Sequence, residues 1–189
     1  MSEIRPQWIL DLASRDPEER AKAAGEIYRV GSQRASLAVQ AWWQNAEIAR
    51  LCGTSPAATV GLAVHPLTFA GIREANDWPR LAEVPPDQDA SEFELHFPGG
   101  IALDVLSARE PGGAGAIARF LAKQGEGVQQ VEFPCADVDR ATAVLRQEFA
   151  VEPVYATGRP GAAGTRVNFF LVSTPSGQKV LIELYEPPR

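Results

Sequence analysis

Histidine is nearly missing from this chain: of 189 residues, only His65 and His96 carry an imidazole. Zinc, nickel and cobalt centres draw mainly on imidazole and thiolate ligands, so a histidine-rich centre of that type is not expected. Cysteine is equally scarce. Cys52 and Cys135 form no CxxC pair and no disulfide framework, and they read as buried reduced thiols rather than as a bridge or a metal pair. Positive charge is in deficit, with 18 Lys and Arg against 24 Asp and Glu and a net charge of −6. That balance argues against a nucleic-acid surface and suits a soluble, cytoplasmic protein. No apolar run approaches the ~20 residues of a membrane span. The N-terminus lacks a basic region followed by a long apolar core, so a secretory signal is not expected. Neither a GxSxG element nor a GxxxxGK[ST] element occurs, which leaves nucleophilic hydrolysis and P-loop phosphate chemistry without support.

The composition is that of a globular protein. Hydrophobic residues make up 45% and charged residues 22%, and four Trp, eight Phe and three Tyr suffice to anchor a core. Residues 6–51 read as helical. Asp16 suits an N-cap, Pro17 the first helical position, and Glu18 and Glu19 the positive helix start. Gly31 is placed to end that helix. A second helix then carries Leu37, Ala41, Ile48 and the pair Trp42 and Trp43. Two consecutive tryptophans do not fit one narrow face, so one of them packs on another element or on a partner subunit. Residues 1–53 are thus expected as a helical N-terminal extension or an interaction arm.

After Gly53, Thr54, Ser55 and Pro56 the pattern changes to strands. Strands are expected at 59–64, 80–84, 92–97 and 101–106, with a helix over 66–77 and a Gly99-Gly100 hairpin turn. A linker and a helix over 114–123 follow. The order then repeats: strand 128–135, helix 138–149, a weak strand 152–155, and strong strands 166–172 and 179–185. A βαβββ pattern therefore occurs twice, near 57–108 and 127–187, which makes the chain α+β.

Three segments carry a family resemblance. ARFLAKQGEGVQQVEF is similar to the pattern FLxKxGEGxHHIAF, RPGAAGTRVNFF is similar to a loop that borders a ligand cleft, and VLIELYE is similar to a closing LIEL strand. Together they resemble the vicinal-oxygen-chelate (glyoxalase, bleomycin-resistance and dioxygenase) superfamily, in the C-terminal half the methylmalonyl-CoA epimerases. The resemblance implies a glyoxalase-like domain over 57–187, built of paired βαβββ modules that form a β-cleft. It also implies a homodimer and a small-molecule ligand.

In metal-dependent members four strands supply a His, a Glu or Gln, a second His and a Glu. By that resemblance the four positions fall on Thr59, Asp104, Gln130 and Glu183, so both histidines are replaced. What remains for a divalent cation is Asp104 and Glu183. Strand parity adds Glu132, which shares a face with Gln130. Asp104, Glu132 and Glu183 together would bind a hard cation, serve as a base or grip a cationic ligand. Alternatively Glu132 pairs with an arginine such as Arg166 and is structural. Arg159 and Arg166, in and after the glycine-rich loop, are placed to engage carboxylate or phosphate. Two functions follow. One is binding of a small molecule in a cleft whose metal site is degenerate. The other is a divergent lyase or isomerase, epimerase-like, in which Glu183, with Glu132 or Asp104, moves a proton next to a carbonyl.

Overall fold

The computed structural model describes residues 4–188. Among the described residues the helices are α1 (Pro6–Asp11), α2 (Pro17–Val39), α3 (Ala46–Cys52), α4 (Pro66–Ala75), α5 (Ala116–Gln124) and α6 (Val138–Phe149). The strands among them are β1 (Thr59–Ala63), β2 (Ala90–Phe97), β3 (Ile101–Ala108), β4 (Gly127–Pro134), β5 (Arg159–Pro160), β6 (Arg166–Ser173) and β7 (Lys179–Glu186). The chain forms two compact units, Met1–Gly31 with Thr59–Gln129, and Ser32–Ala58 with Gln130–Arg189. Among the described residues no helix is long and apolar enough to cross a membrane.

The glyoxalase-like α+β fold expected from the repeated pattern is present, and the duplication is visible in the pairing. In the first unit β1 runs parallel to β3, with Gly61 opposite Asp104, and β2 runs antiparallel to β3, with Glu94 opposite Asp104. In the second, β4 runs parallel to β7, with Glu132 opposite Glu183, and β6 runs antiparallel to β7, with Phe169 opposite Glu183. The turn between β2 and β3 has three residues, Pro98, Gly99 and Gly100, closing on the Phe97–Ile101 pair, and both glycines are at positive φ (84° and 74°), which glycine adopts without steric cost.

One expected strand of each module is reduced to a single ladder bond. Segment 80–84 contributes the Ala82 N–H to Glu92 O at 3.0 Å, and segment 152–155 the Val154 N–H to Phe169 O at 2.7 Å. Proline explains both. Pro79, Pro85 and Pro86 bracket the first segment and Pro153 interrupts the second, and none has an N–H to donate.

Gly31 does not end its helix: α2 continues to Val39. The residue is glycine because of packing. A Cβ there would lie 2.6 Å from Val60 Cγ1 and 2.9 Å from Val60 Cγ2, so the helix approaches β1 more closely than any side chain permits. Beyond α2, Trp42–Gln44 form a turn of 3₁₀ helix before α3. Asn45 caps α3 by accepting from the N–H groups of Glu47 and Ile48.

In each unit the strands have one face covered by helices. In the first unit Phe69 of α4 meets Phe93 edge-on at 4.8 Å, over Leu62, Leu103 and Val105. In the second, Phe133, Phe170, Ile182 and Leu184 form the covered face. Trp42 meets Phe170 at 5.8 Å, and Trp43 meets Phe133 at 5.2 Å. Both tryptophans therefore pack within the second unit. Alternation sends the remaining side chains to the other face, and all the sheet carboxylates of interest lie there.

Candidate functional site

Strand register builds the site of the second unit. β4 and β7 are parallel neighbours with Glu132 directly opposite Glu183, and Gln130 precedes Glu132 by one pleat on the same face. All three are only 8% exposed. Gln130 donates both amide hydrogens, at 3.1 Å to Glu132 Oε1 and at 2.6 Å to Glu183 Oε2. One neutral amide thus holds two buried carboxylates side by side. An imidazole could not do this, because it has one N–H on each side of a ring and not two on one nitrogen.

Next to Glu183 across β6 lies Phe169, whose ring meets Tyr155 edge-on at 6.2 Å. The Arg159 guanidinium stands 4.7 Å from the Tyr155 ring centroid, a cation–π contact. Asn168, fully buried, fixes this segment. Its Oδ1 accepts from the Tyr155 and Phe169 N–H groups, and its Nδ2 donates to Tyr155 O at 3.0 Å and Thr142 Oγ1 at 3.2 Å. The surface therefore runs from two carboxylates through two aromatic rings to one arginine.

Arg166 is engaged elsewhere. It lies on the helix-covered side of β6 and donates to Asp139 Oδ2 at 2.6 and 3.1 Å. Burial raises the Asp139 carboxyl, but the Gly158 N–H and the Arg166 guanidinium outweigh it and hold the group below its usual range. The alternative in which Glu132 pairs with Arg166 is not what forms, because alternate strand positions put the two on opposite faces. The glycine-rich loop becomes the two-residue β5 and a turn. Its Gly161 has no room for a Cβ, which would stand 2.5 Å from Thr165 Oγ1 and Val167 Cγ1.

In the first unit Asp104 is 5% exposed and faces the same way as Thr59, Gly61, Glu92, Glu94 and His96. His96 Nε2 lies 3.0 Å from Glu94 Oε2. His65 serves through its backbone, donating N–H to Glu126 Oε1 at 2.9 Å. Glu92 was not among the candidates read from the sequence. Burial first, and then the Glu94 charge, push its carboxyl up to about 7, against a smaller opposing pull from Arg109. A group titrating there is matched to general-base work near neutrality. Its signal was strand alternation: Glu92 and Glu94 flank Phe93 and so face with Asp104.

That raised carboxyl carries a stability consequence. Between its ordinary value of 4.5 and about 7, Glu92 keeps its proton in the folded chain and has lost it in the unfolded one. Its contribution is whole below pH 4.5 and disappears as pH rises through 7. Glu92→Gln, which does not titrate, should therefore gain on the wild type by on the order of 3 kcal/mol between pH 4.5 and pH 8. Urea unfolding at the two pH values measures it, and a constant difference would mean that Glu92 is not held protonated.

The donor set does not fit the imidazole-rich divalent centre of the superfamily. At the Gln130 position an amide N–H₂ group, which cannot ligate a cation, points at the carboxylate oxygens that would. Among the described residues no group of three or more His, Cys, Asp or Glu side chains is placed to hold a metal ion.

No protein-family model and no curated protein sequence matches the chain. Solved structures do. Methylmalonyl-CoA epimerase from Mycobacterium tuberculosis is 33% identical, with 74% of this chain and 91% of that one covered, at a TM-score of 0.57. A Streptomyces coelicolor methylmalonyl-CoA epimerase variant in complex with 2-nitronate-propionyl-CoA is 27% identical, covering 71% and 99%, at a TM-score of 0.54. A methylmalonyl-CoA epimerase in complex with methylmalonyl-CoA and ammonium is 28% identical, covering 72% and 94%, at 0.53. Identity of 33% to an epimerase nine-tenths of whose length is covered, on the fold described above, places this chain in the vicinal-oxygen-chelate superfamily, to which the methylmalonyl-CoA epimerases belong.

Proposed function

We propose that this protein binds a small acyl thioester on the sheet face of its second unit opposite the helices, around Glu183, without an imidazole-held metal. The observation that carries this reading is the Gln130 amide clamping Glu132 and Glu183 at a position where the superfamily keeps a metal-binding imidazole. The thioester class is supported by the epimerases with CoA-derivative ligands to which the chain is similar. Phe169 and Tyr155 offer apolar contact to an acyl chain, and Arg159 offers charge to a carboxylate or phosphate.

The same carboxylates favour a second reading, proton transfer at the carbon next to the thioester carbonyl. A buried carboxylate held at a fixed position by a neutral donor is a competent base. In this reading Glu183 takes the proton and Glu132 supports it electrostatically, giving an epimerase-like isomerase or lyase. Methylmalonyl-CoA is the probe for both readings. Calorimetry measures binding, and NMR in deuterated buffer measures exchange of the hydrogen next to the carbonyl. Glu183→Gln should retain affinity and lose exchange by roughly 10²–10⁴-fold if Glu183 is the base. Binding without exchange in the wild type leaves the binding reading alone. Unchanged binding and exchange in the variant would remove Glu183 from both.

A further inference from the structure

Neither cysteine belongs to the site above, yet the fold brings them together. Cys52 ends α3 and is 7% exposed, and Cys135 follows β4 and is 2% exposed. The backbone joins the two segments directly, since the Ala136 N–H donates to Leu51 O at 2.8 Å. The titration of each thiol is perturbed first of all by the other, and Cys135 Sγ reaches Asp137 O at 3.4 Å. Both are free thiols.

We infer that Cys52 and Cys135 are a redox pair that closes to an intramolecular disulfide under hydrogen peroxide, tying the end of α3 to the end of β4. The oxidant class follows from burial, because a small neutral peroxide can penetrate where a glutathione-sized disulfide cannot. The roles of the two sulfurs differ. The neighbouring Cys52 holds the Cys135 thiol below its ordinary range, while the same neighbour effect, with burial, pushes Cys52 up. Cys135 is therefore the attacking sulfur. Its thiolate takes one peroxide oxygen, the O–O bond breaks, and the released hydroxide leaves as water with the thiol proton. The sulfenic acid so formed is attacked by the Cys52 sulfur. The S–O bond breaks, and a second water leaves with the Cys52 proton. Two thiols are oxidised and one peroxide is reduced to two waters. The bond would fix the end of the strand that carries Gln130 and Glu132.

The test is intact mass after peroxide treatment of the native chain, followed by unfolding and alkylation. The wild type should lose about 2 Da, take up no alkylating agent, and recover both thiols with dithiothreitol. Cys52→Ala should instead gain oxygen on Cys135 in steps of about 16 Da, and Cys135→Ala should react at least ~10-fold more slowly. Oxygen gain by the wild type without that loss, or a bridge between molecules, overturns the inference. So does a native chain that stays reduced under peroxide that oxidises the urea-unfolded chain.

Discussion

Trp42→Ala should lower the free energy of unfolding by about 3–5 kcal/mol, read as a fall in the urea midpoint at unchanged slope. Trp42 is 2% exposed and lies on the helix-covered face of the second unit. Its ring meets Phe170, which is fully buried, at 5.8 Å and the Trp43 ring at 6.2 Å, both edge-on. Truncation removes the transfer energy of an indole and two ring contacts, each worth about 0.5–1.5 kcal/mol beyond area. It also leaves a cavity that the paired strands beneath cannot collapse into. Against a typical total of about 5–15 kcal/mol, that is a large share. Trp43→Ala should cost roughly half as much, because Trp43 is only half-buried and has Phe133 as its main ring contact beyond Trp42. A loss below about 1 kcal/mol for Trp42→Ala would mean that the 42–44 turn sits on the unit without supporting it. Residues 32–58 are built into the compact unit that holds the carboxylates.

How far the sequence reveals these features depends on how local each cause is. Strands β3, β6 and β7, helix α6 and the Gly99-Gly100 turn follow from alternation, capping and turn chemistry within a few residues, and these are placed within a residue or two of their expected bounds. The meeting of Glu132 with Glu183 was legible in part, since parity fixes the face once the two strands are taken as neighbours. The Gln130 bridge was not, because its 2.6 Å bond to Glu183 depends on the exact register of β4 against β7, 53 residues away in sequence. Gly31 misled for a similar reason. Glycine reads as a helix end locally, whereas here it answers to the Val60 side chain across a packed interface. Arg166 looked available because its partner, Asp139, lies 27 residues earlier on α6. Prolines account for the two reduced strands, and their missing N–H groups were in plain view. Glu92 was not legible because its raised carboxyl comes first from burial, a tertiary property that strand alternation alone does not give.

Gln130→Leu should cost about 3–5 kcal/mol at neutral pH, more than the near-equal volume of the two side chains would suggest. Leucine fills the space, so the cavity contribution is small. What it removes is the N–H₂ group that donates to Glu132 at 3.1 Å and to Glu183 at 2.6 Å, three side chains at 8% exposure each. Hydrogen bonds to charged acceptors are worth about 1.5–3 kcal/mol apiece, and taking a donor from a buried charge costs its desolvation as well. The two carboxylates stand opposite each other on adjacent parallel strands, and like charges at that spacing repel without the amide between them. Removing one charge should then recover part of the loss, so Gln130→Leu with Glu132→Gln is expected to be more stable than Gln130→Leu alone. This non-additivity, measured as a double-mutant cycle, separates charge repulsion from simple loss of contacts. If instead Gln130→Leu falls within about 0.5 kcal/mol of the wild type, the amide is not what keeps the carboxylates together. The base position argued for Glu183 would then need another support.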